Sequence, residues 1–341
     1  MKIAYVVDTK VSALGIAATS RARSNPEISV IEGLNFYTPG SLVSHLRRGK
    51  YDLVIFSWRF LAFDLLSFRH LRGPIRRLFR DSSLAVVIPD HLGIDGDLAM
   101  KEALLLAEVD YFLVTSQLLF QHYTERYPDK CLGILHDMPN LEEIDVVRAS
   151  ASGISEEIIW VGNSKWGERM GFKDHKRFEE IVKVLISKNY KIKVVDSALR
   201  RLSNLNVLQT IRESRYLIQC SKSEGTGLPV LEAAAVGTVP ITTGVGIAEE
   251  FLVGELSPLL VSPKAEEFET ALSWARENFL WLQAKLRDRF DEYVHQSLQE
   301  NIYFEIDRAG HKIERSIWNE FQSGLKWAVR SLKCRLTKST H

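Results

Sequence analysis

CSKSEGTGLPVLEAAAVGTVPITTGVGIAEE, residues Cys220 to Glu250, is the stretch around which the rest of the chain can be read. Just ahead of it, Arg215 to Cys220 is a short, mostly apolar run bounded by polar residues, the pattern of a buried strand. A loop with Gly225, Gly227 and Pro229 follows, and Leu231 to Val236 predicts a short helix stopped by Gly237 and Thr238. Val239-Pro240-Ile241 predicts the next strand, and Gly244 and Gly246 open another loop. A glycine-rich turn running from the carboxyl end of a strand into the amino end of a helix offers free backbone N–H groups to an anion. Glu224 and Glu232 frame that turn, one at the loop entrance and one in the expected first helical turn. A ligand with a phosphate in the middle and hydroxyls at both ends suits this arrangement, and a sugar nucleotide is such a ligand.

The segment Glu224 to Ile241, EGTGLPVLEAAAVGTVPI, resembles the signature of retaining GT-B glycosyltransferases of family 4 (glycosyl transferases group 1), whose usual form is close to EGFGLPxLEAMAxGxPV. The two glutamates, both glycines, Leu228-Pro229 and the Glu-Ala pair agree in order. Thr226 departs, standing where an aromatic residue is common. The resemblance implies an α/β protein of the GT-B fold, with two Rossmann-like domains facing each other across a cleft. A glycine-rich loop alone would carry little, because such loops recur on many folds.

The wider composition is compatible with that expectation. A chain of 341 residues suggests two domains, and 45% hydrophobic residues with mixed charge describe a globular protein. Lys and Arg number 44 against 43 Asp and Glu, and this balance argues against nucleic acid as a general partner. Cys131, Cys220 and Cys334 lie far apart without metal-ligand spacing, which fits a reducing compartment and a cytoplasmic location. The amino end has the small-residue run of a signal peptide, but Asp8 and Lys10 break its apolar core, so a first strand is expected instead. No stretch reaches the length of a membrane span.

The first half alternates strands and helices. Strands are expected at Ile3 to Val7, Ile28 to Ile31, Asp52 to Ser57, Leu84 to Ile88 and Asp110 to Ser116, with helices at Leu98 to Ala107 and Leu118 to Tyr123. Near-continuous apolar strands between helices predict a parallel sheet covered on both faces. Ligands of such sheets bind beyond the carboxyl ends of the strands, so the loops after Asp8, Ser57, Pro89 and Ser116 matter most. At Pro89-Asp90-His91 the resemblance implies that His91 approaches the donor sugar, while a histidine here could equally cap or pack; Asp90 is the neighbouring candidate for an acceptor-side base. The loop after the first strand carries only Gly15, where the family commonly has paired glycines. Asp95-Gly96-Asp97 has the spacing of a metal-binding pair. Three letters recur by chance, however, and GT-B enzymes generally hold the diphosphate with helix dipole and basic side chains, so neither a metal nor any other cofactor is expected.

The join is expected near Val147 to Glu156, giving an acceptor-side domain over 1–150, a donor-binding domain over 151–300 and helices over 301–341 that pack back on the first domain or lie on a membrane surface. Ile158 to Gly162 opens the second domain as a strand, Arg177 to Ile186 is the next helix and Lys191 to Val195 the next strand. The family usually reads VGR and then KG here, with the Arg and Lys clamping the diphosphate. Lys176 matches that lysine, Arg177 stands where Gly is usual, and Asn163 stands where Arg is usual; Lys165 is the candidate replacement for the missing charge. Helical spacing of apolar residues marks Phe268 to Phe279, Trp281 to His295 and Ile313 to Cys334. Two basic stretches, Arg69 to Arg80 and Lys326 to Lys338, are candidates for contact with an anionic membrane surface, a location peripheral to the inner face of the membrane.

By resemblance, the donor is a nucleoside-diphosphate sugar and the acceptor a glycan or lipid-linked sugar, as in the assembly of bacterial surface polysaccharides or glycolipids. The catalytic candidates are Glu224, His91 and Lys176. Glu232 would take the ribose hydroxyls, and Gly225, Thr226, Gly227 and Leu228, with Lys165 and Asn163, the diphosphate. Two other readings stay open at this point. One is a sugar-nucleotide epimerase on the same architecture, and the other a non-catalytic subunit that needs a partner.

Overall fold

The computed structural model describes residues 1–10, 12–36, 39–57, 59, 62, 82–90, 105–106, 109–150, 153, 158–168, 173–200 and 202–299. His91, Asp95, Asp97, the stretch Arg69 to Arg80 and everything beyond residue 299 lie outside them. Six parallel strands form the first sheet: β1 (Ile3–Val7), β2 (Ile28–Glu32), β3 (Leu53–Phe56), β4 (Ser83–Ile88), β5 (Tyr111–Val114) and β6 (Cys131–Ile134), in the order β2-β1-β3-β4-β5-β6. β1, β3 and β5 are buried on every residue, because helices cover both faces of a parallel sheet. Helices α1 (Ala13–Ser24), α2 (Pro39–Gly49) and α3 (Gln117–Arg126) lie between these strands. Ser12 and Ser116 cap α1 and α3, each accepting a backbone N–H from its helix's first turn.

The second sheet has β7 (Ile158–Gly162), β8 (Ile192–Asp196), β9 (Tyr216–Gln219), β10 (Val239–Thr243) and the two-residue β11 (Leu260–Val261), in the order β11-β10-β9-β7-β8, all parallel. The order reverses direction between β7 and β9, and a doubly wound sheet opens its ligand crevice at such a point. Between the two sheets runs α4 (Leu141–Ala149), and the second sheet is covered by α5 (Lys183–Ser187, preceded by a π-helical turn at Phe178–Val182), α6 (Asn204–Arg212), α7 (Leu228–Val236), α8 (Ala248–Phe251), α9 (Ala265–Glu277) and α10 (Phe279–Gln299). Ile144 and Val147 of α4 are buried in the second sheet's core, so α4, though inside the 1–150 span, packs with the second lobe.

Both sheets lie in one compact unit, Met1–Ile302. Glu250 of α8 accepts from the backbone N–H of Gln117 at 2.5 Å and meets His136 at 3.3 Å. Tyr293 of α10 donates its hydroxyl to the Asp137 carbonyl at 2.9 Å. These bonds fasten the second lobe to α3 and to the segment 135–140 that joins the lobes. No described helix is long and apolar enough to cross a membrane.

Candidate functional site

α7 begins earlier than the periodicity of its apolar residues suggests. Gly227 takes a left-handed conformation (φ 78°, ψ 51°) as the N-cap, and Pro229, with its fixed φ, fits the first turn. Glu232 therefore stands one turn inside the helix instead of in its first turn. At the other end, Gly237 is again left-handed (φ 88°), and the N–H groups of Gly237 and Thr238 return to the carbonyls of Ala234 and Ala233. This double bond pattern closes a helix end and explains the stop at Gly237. The helix is buried from Val230 to Val236.

Lys176 and Glu224 lie 48 positions apart in sequence but form an ion pair in the structure. Two chain segments are fastened together to achieve this. The N–H of Lys222 donates to the His175 carbonyl at 2.8 Å, the Lys222 ammonium to the Lys173 carbonyl at 2.9 Å, and the Cys220 thiol to the Lys176 carbonyl at 3.2 Å. His175 Nε2 lies 2.9 Å from the Ser223 carbonyl, so Nε2 carries the proton. Burial, with Lys176 and Lys222 nearby, pushes the His175 pKa down and favours this neutral tautomer. Burial likewise pushes the Cys220 thiol up to about 12, leaving a structural thiol and not a nucleophile.

Lys176 sits in a tight turn between two left-handed residues, Asp174 (φ 43°) and Arg177 (φ 48°). The Asp174 carboxylate accepts from the N–H groups of Glu179 and Glu180, opening the following helical turn. The left-handed backbone at Arg177 is the physical reason that glycine suits this position.

Glu224 also accepts from Ser221 Oγ at 2.5 Å. Burial alone would raise its carboxyl pKa; the charge of Lys176 and the hydrogen bonds from Lys176 and Ser221 outweigh burial and hold it below the usual value. Trp166 closes one side. Its ring lies 4.4 Å from that of His175 and 5.6 Å from the Lys176 ammonium, within cation–π range.

The loop after β7 holds Asn163 and Lys165 differently from an arginine clamp. Asn163 spends its side-chain oxygen on the Lys165 N–H at 3.0 Å, and its carbonyl accepts from Trp166 N at 3.0 Å. Ser164 binds Asp196 at the end of β8 through its N–H (3.1 Å) and its hydroxyl (2.6 Å). Burial would raise the Asp196 carboxyl, yet the hydrogen bonds from Ser164 and Ala198 and the charge of Lys165 lower it. The Lys165 side chain is exposed, and among the described residues no ion pair joins it to Glu224.

Glu232 is buried at 6% exposure. Burial first, and then the charge of Glu143 on α4, raises its pKa to about 7. Glu143 accepts from Asn204 Nδ2 at 2.6 Å. On the first lobe, Asp90 forms an ion pair with the buried Arg59, so the carboxylate considered as an acceptor-side base already holds a cation.

The structure thus brings Lys176, Glu224 and the Gly225–Leu228 loop together at the switch point, and holds Glu232 buried one turn into α7. His91 lies outside the described residues. Sequence reasoning missed Trp166, His175 and Ser221, and the only signal for the first two was their place in the loops flanking Lys176. Among the described residues no group of three or more His, Cys, Asp or Glu side chains could hold a metal ion.

The family Glycosyl transferases group 1 matches residues 182–297, which carry β8 to β11 and the loop at Glu224. No curated protein matches the chain in sequence. Sucrose-phosphate synthase from Thermosynechococcus elongatus is similar in structure, with a TM-score of 0.58 at 15% identity over 91% of this chain and 100% of that one. HepE from Anabaena, in complex with UDP, gives 0.59 at 12% identity over 92% and 100%. The catalytic domain of starch synthase IV from Arabidopsis thaliana, bound to ADP and acarbose, gives 0.58 at 9% identity over 92% and 100%. The fold is GT-B.

Proposed function

We propose that the protein is a glycosyltransferase that moves a sugar from a nucleoside-diphosphate sugar to a glycan or lipid-linked acceptor with retention of configuration. The carrying observation is the Lys176–Glu224 pair at the switch point of the second sheet, beside a loop whose amides open α7. The match of residues 182–297 supports this reading, as do the UDP and ADP held by two structural neighbours. In this proposal the amides of Gly225 to Leu228 and the ammonium of Lys176 stabilise negative charge growing on the leaving diphosphate. Glu224 accepts hydrogen bonds from hydroxyls of the donor sugar. Its ionised state, secured by Lys176 and Ser221, makes it an acceptor at two oxygens. Glu232 accepts from the ribose.

The bond from the anomeric carbon to the diphosphate oxygen breaks, and the acceptor oxygen bonds to that carbon from the same face. The acceptor's proton passes to the departing phosphate oxygen. No side-chain nucleophile is needed, and no metal enters the scheme. In this proposal the basic sequences Arg69 to Arg80 and Lys326 to Lys338 favour contact with an anionic membrane surface, where a lipid-linked acceptor would be met.

The test is a thermal-shift panel of UDP, GDP, ADP and CMP with their common sugars, on wild type and Glu232→Ala. A ligand at a hundred times its dissociation constant stabilises by about 2.7 kcal/mol, a shift of roughly 2–4 °C. A shift with one nucleotide, lost in the variant, is the expected result. No shift with any nucleotide would overturn the proposal.

A further inference from the structure

Thr226, the one clear departure from the family signature in this loop, points its hydroxyl toward the segment between the lobes, where Thr226 Oγ1 donates to Asp137 Oδ2 at 2.8 Å. Thr226 is buried at 4% exposure. Its carbonyl is committed as well, accepting from the N–H of Ile247 at 2.9 Å and lying 2.6 Å from where a Cβ on Gly246 would fall. An aromatic residue at 226 has no hydroxyl of this reach, and Asp137 would lose its donor.

Asp137 is a fixed post. Its own carbonyl accepts from Tyr293 of α10, and the preceding His136 meets Glu250 through its ring and Arg21 of α1 through its carbonyl. Ser20 Oγ donates to the Pro139 carbonyl at 3.2 Å. The segment is thus bolted to the first lobe by α1 and to the second by α8 and α10. Burial pushes the Asp137 carboxyl up, against the lowering influence of Thr226, Arg21 and His136. A buried carboxyl group carries a desolvation cost, and here that cost is offset by a short list of partners of which Thr226 is the one from the glycine loop.

We propose that Asp137 is a positioning residue of the donor site: from the segment between the lobes it holds Thr226 and so fixes the backbone amides of Gly225 to Leu228 in the orientation a diphosphate requires. The anchor itself follows from the contacts above; its value to a diphosphate rests on the proposed glycosyl-transfer function. Donor affinity and the setting of the segment between the lobes are then one property, read through a single hydrogen bond.

Two measurements separate the parts. Hydrogen exchange on the ligand-free protein follows the peptide spanning 221–231 in wild type, Thr226→Val and Thr226→Ser. Valine keeps the volume and removes the donor, while serine keeps the donor. Faster exchange in the valine variant, restored by serine, is expected; equal exchange in all three overturns the anchor. Calorimetric titration with UDP, GDP and ADP then compares the same proteins. For whichever nucleotide binds wild type, affinity is expected to fall about 10- to 100-fold in Thr226→Val and to stay within about threefold in Thr226→Ser, as leaving a buried polar group without its partner implies. Asp137→Ala, which removes the acceptor, gives the second edge of a double-mutant cycle: adding Thr226→Val to it is expected to cost far less than adding it to wild type. Full additivity, or a serine variant as weak as the valine one, overturns the proposal. A wild type that binds none of the three nucleotides, yet shows the exchange pattern, overturns the proposed function and leaves the anchor standing.

Discussion

Gly225 faces the carbonyl oxygen of Pro89 so closely that a Cβ at 225 would lie 1.2 Å from it. Pro89 follows β4 of the first sheet and Gly225 follows β9 of the second, so backbone meets backbone where the strand ends of the two lobes converge. Neither side can yield by turning a side chain. Gly225→Ala is therefore expected to push the lobes apart. Overpacking of this kind costs about 1–3 kcal/mol, equivalent to roughly a 5- to 150-fold loss in rate if closure precedes chemistry. Small-angle scattering should show a larger radius of gyration together with the loss of transfer. An alanine variant with unchanged dimensions and rate would remove closure from the account.

The Lys176–Glu224 pair predicts asymmetric mutants. Glu224→Gln should fold and lose turnover by orders of magnitude. Lys176→Met leaves a largely buried carboxylate without its cation, a change that typically costs about 3–5 kcal/mol, and should lower both Tm and rate. The pH sign follows from the lowered carboxyl of Glu224. Its contribution to stability is present above the ordinary value of 4.5 and is lost as pH falls through the lowered folded value. Thermal melts of wild type and Glu224→Gln should converge at acid pH and separate at neutral pH.

Glu232 predicts the opposite sign. Its carboxyl, raised to about 7, favours the folded state below 4.5, and this benefit is lost as pH rises to 7. Glu232→Gln should consequently be more stable than wild type at pH 8, by about 3 kcal/mol on the scale of 1.36 kcal/mol per pKa unit, and equal to it near pH 4. Melting curves across that range test this. A flat difference would show that Glu232 is ionised at no unusual cost, and that Glu143 does not bear on it.

Trp166 should act through Lys176. Trp166→Leu removes the aromatic face and keeps apolar bulk, whereas Trp166→Phe keeps a face. A cation–π contact at a partly exposed site is worth about 0.5–1 kcal/mol, so the leucine variant should lose roughly two- to fivefold in kcat, restored by phenylalanine. Steady-state rates for the three proteins decide it. Equal rates would reduce Trp166 to a wall.

Much of this was legible in the sequence because it is local. The strands at Ile3 to Val7 and Ile158 to Gly162 have their predicted bounds, since uninterrupted apolar runs specify buried parallel strands. α1 went unread because its Ser, Thr and Arg residues break any apolar periodicity, and β6 because Gly133 and an irregular register leave it half-exposed at the sheet edge. Glu224 and Lys176 were found through motif positions. Their pairing was not legible, because it depends on bonds between segments 173–177 and 220–224. Asn163 shows the limit of substitution by position: it stands where a cation is usual, and its side chain holds a turn. Asp137 left no sequence signal at all, since its partner Thr226 lies 89 residues away.

α4 carries a last consequence, for the modularity of the chain. Ile144 and Val147 fill the second core, Arg148 donates to the Ala235 carbonyl and pairs with Asp291, and Glu143 takes the Asn204 amide. A chimera spliced at the polar run after residue 150 would leave this helix with the wrong parent and strip the flank of α7. Spliced ahead of the segment 135–140, the same exchange would keep α4, its cap Asn140 and the Asp137 partner of Thr226 with the second lobe as one transplantable cassette.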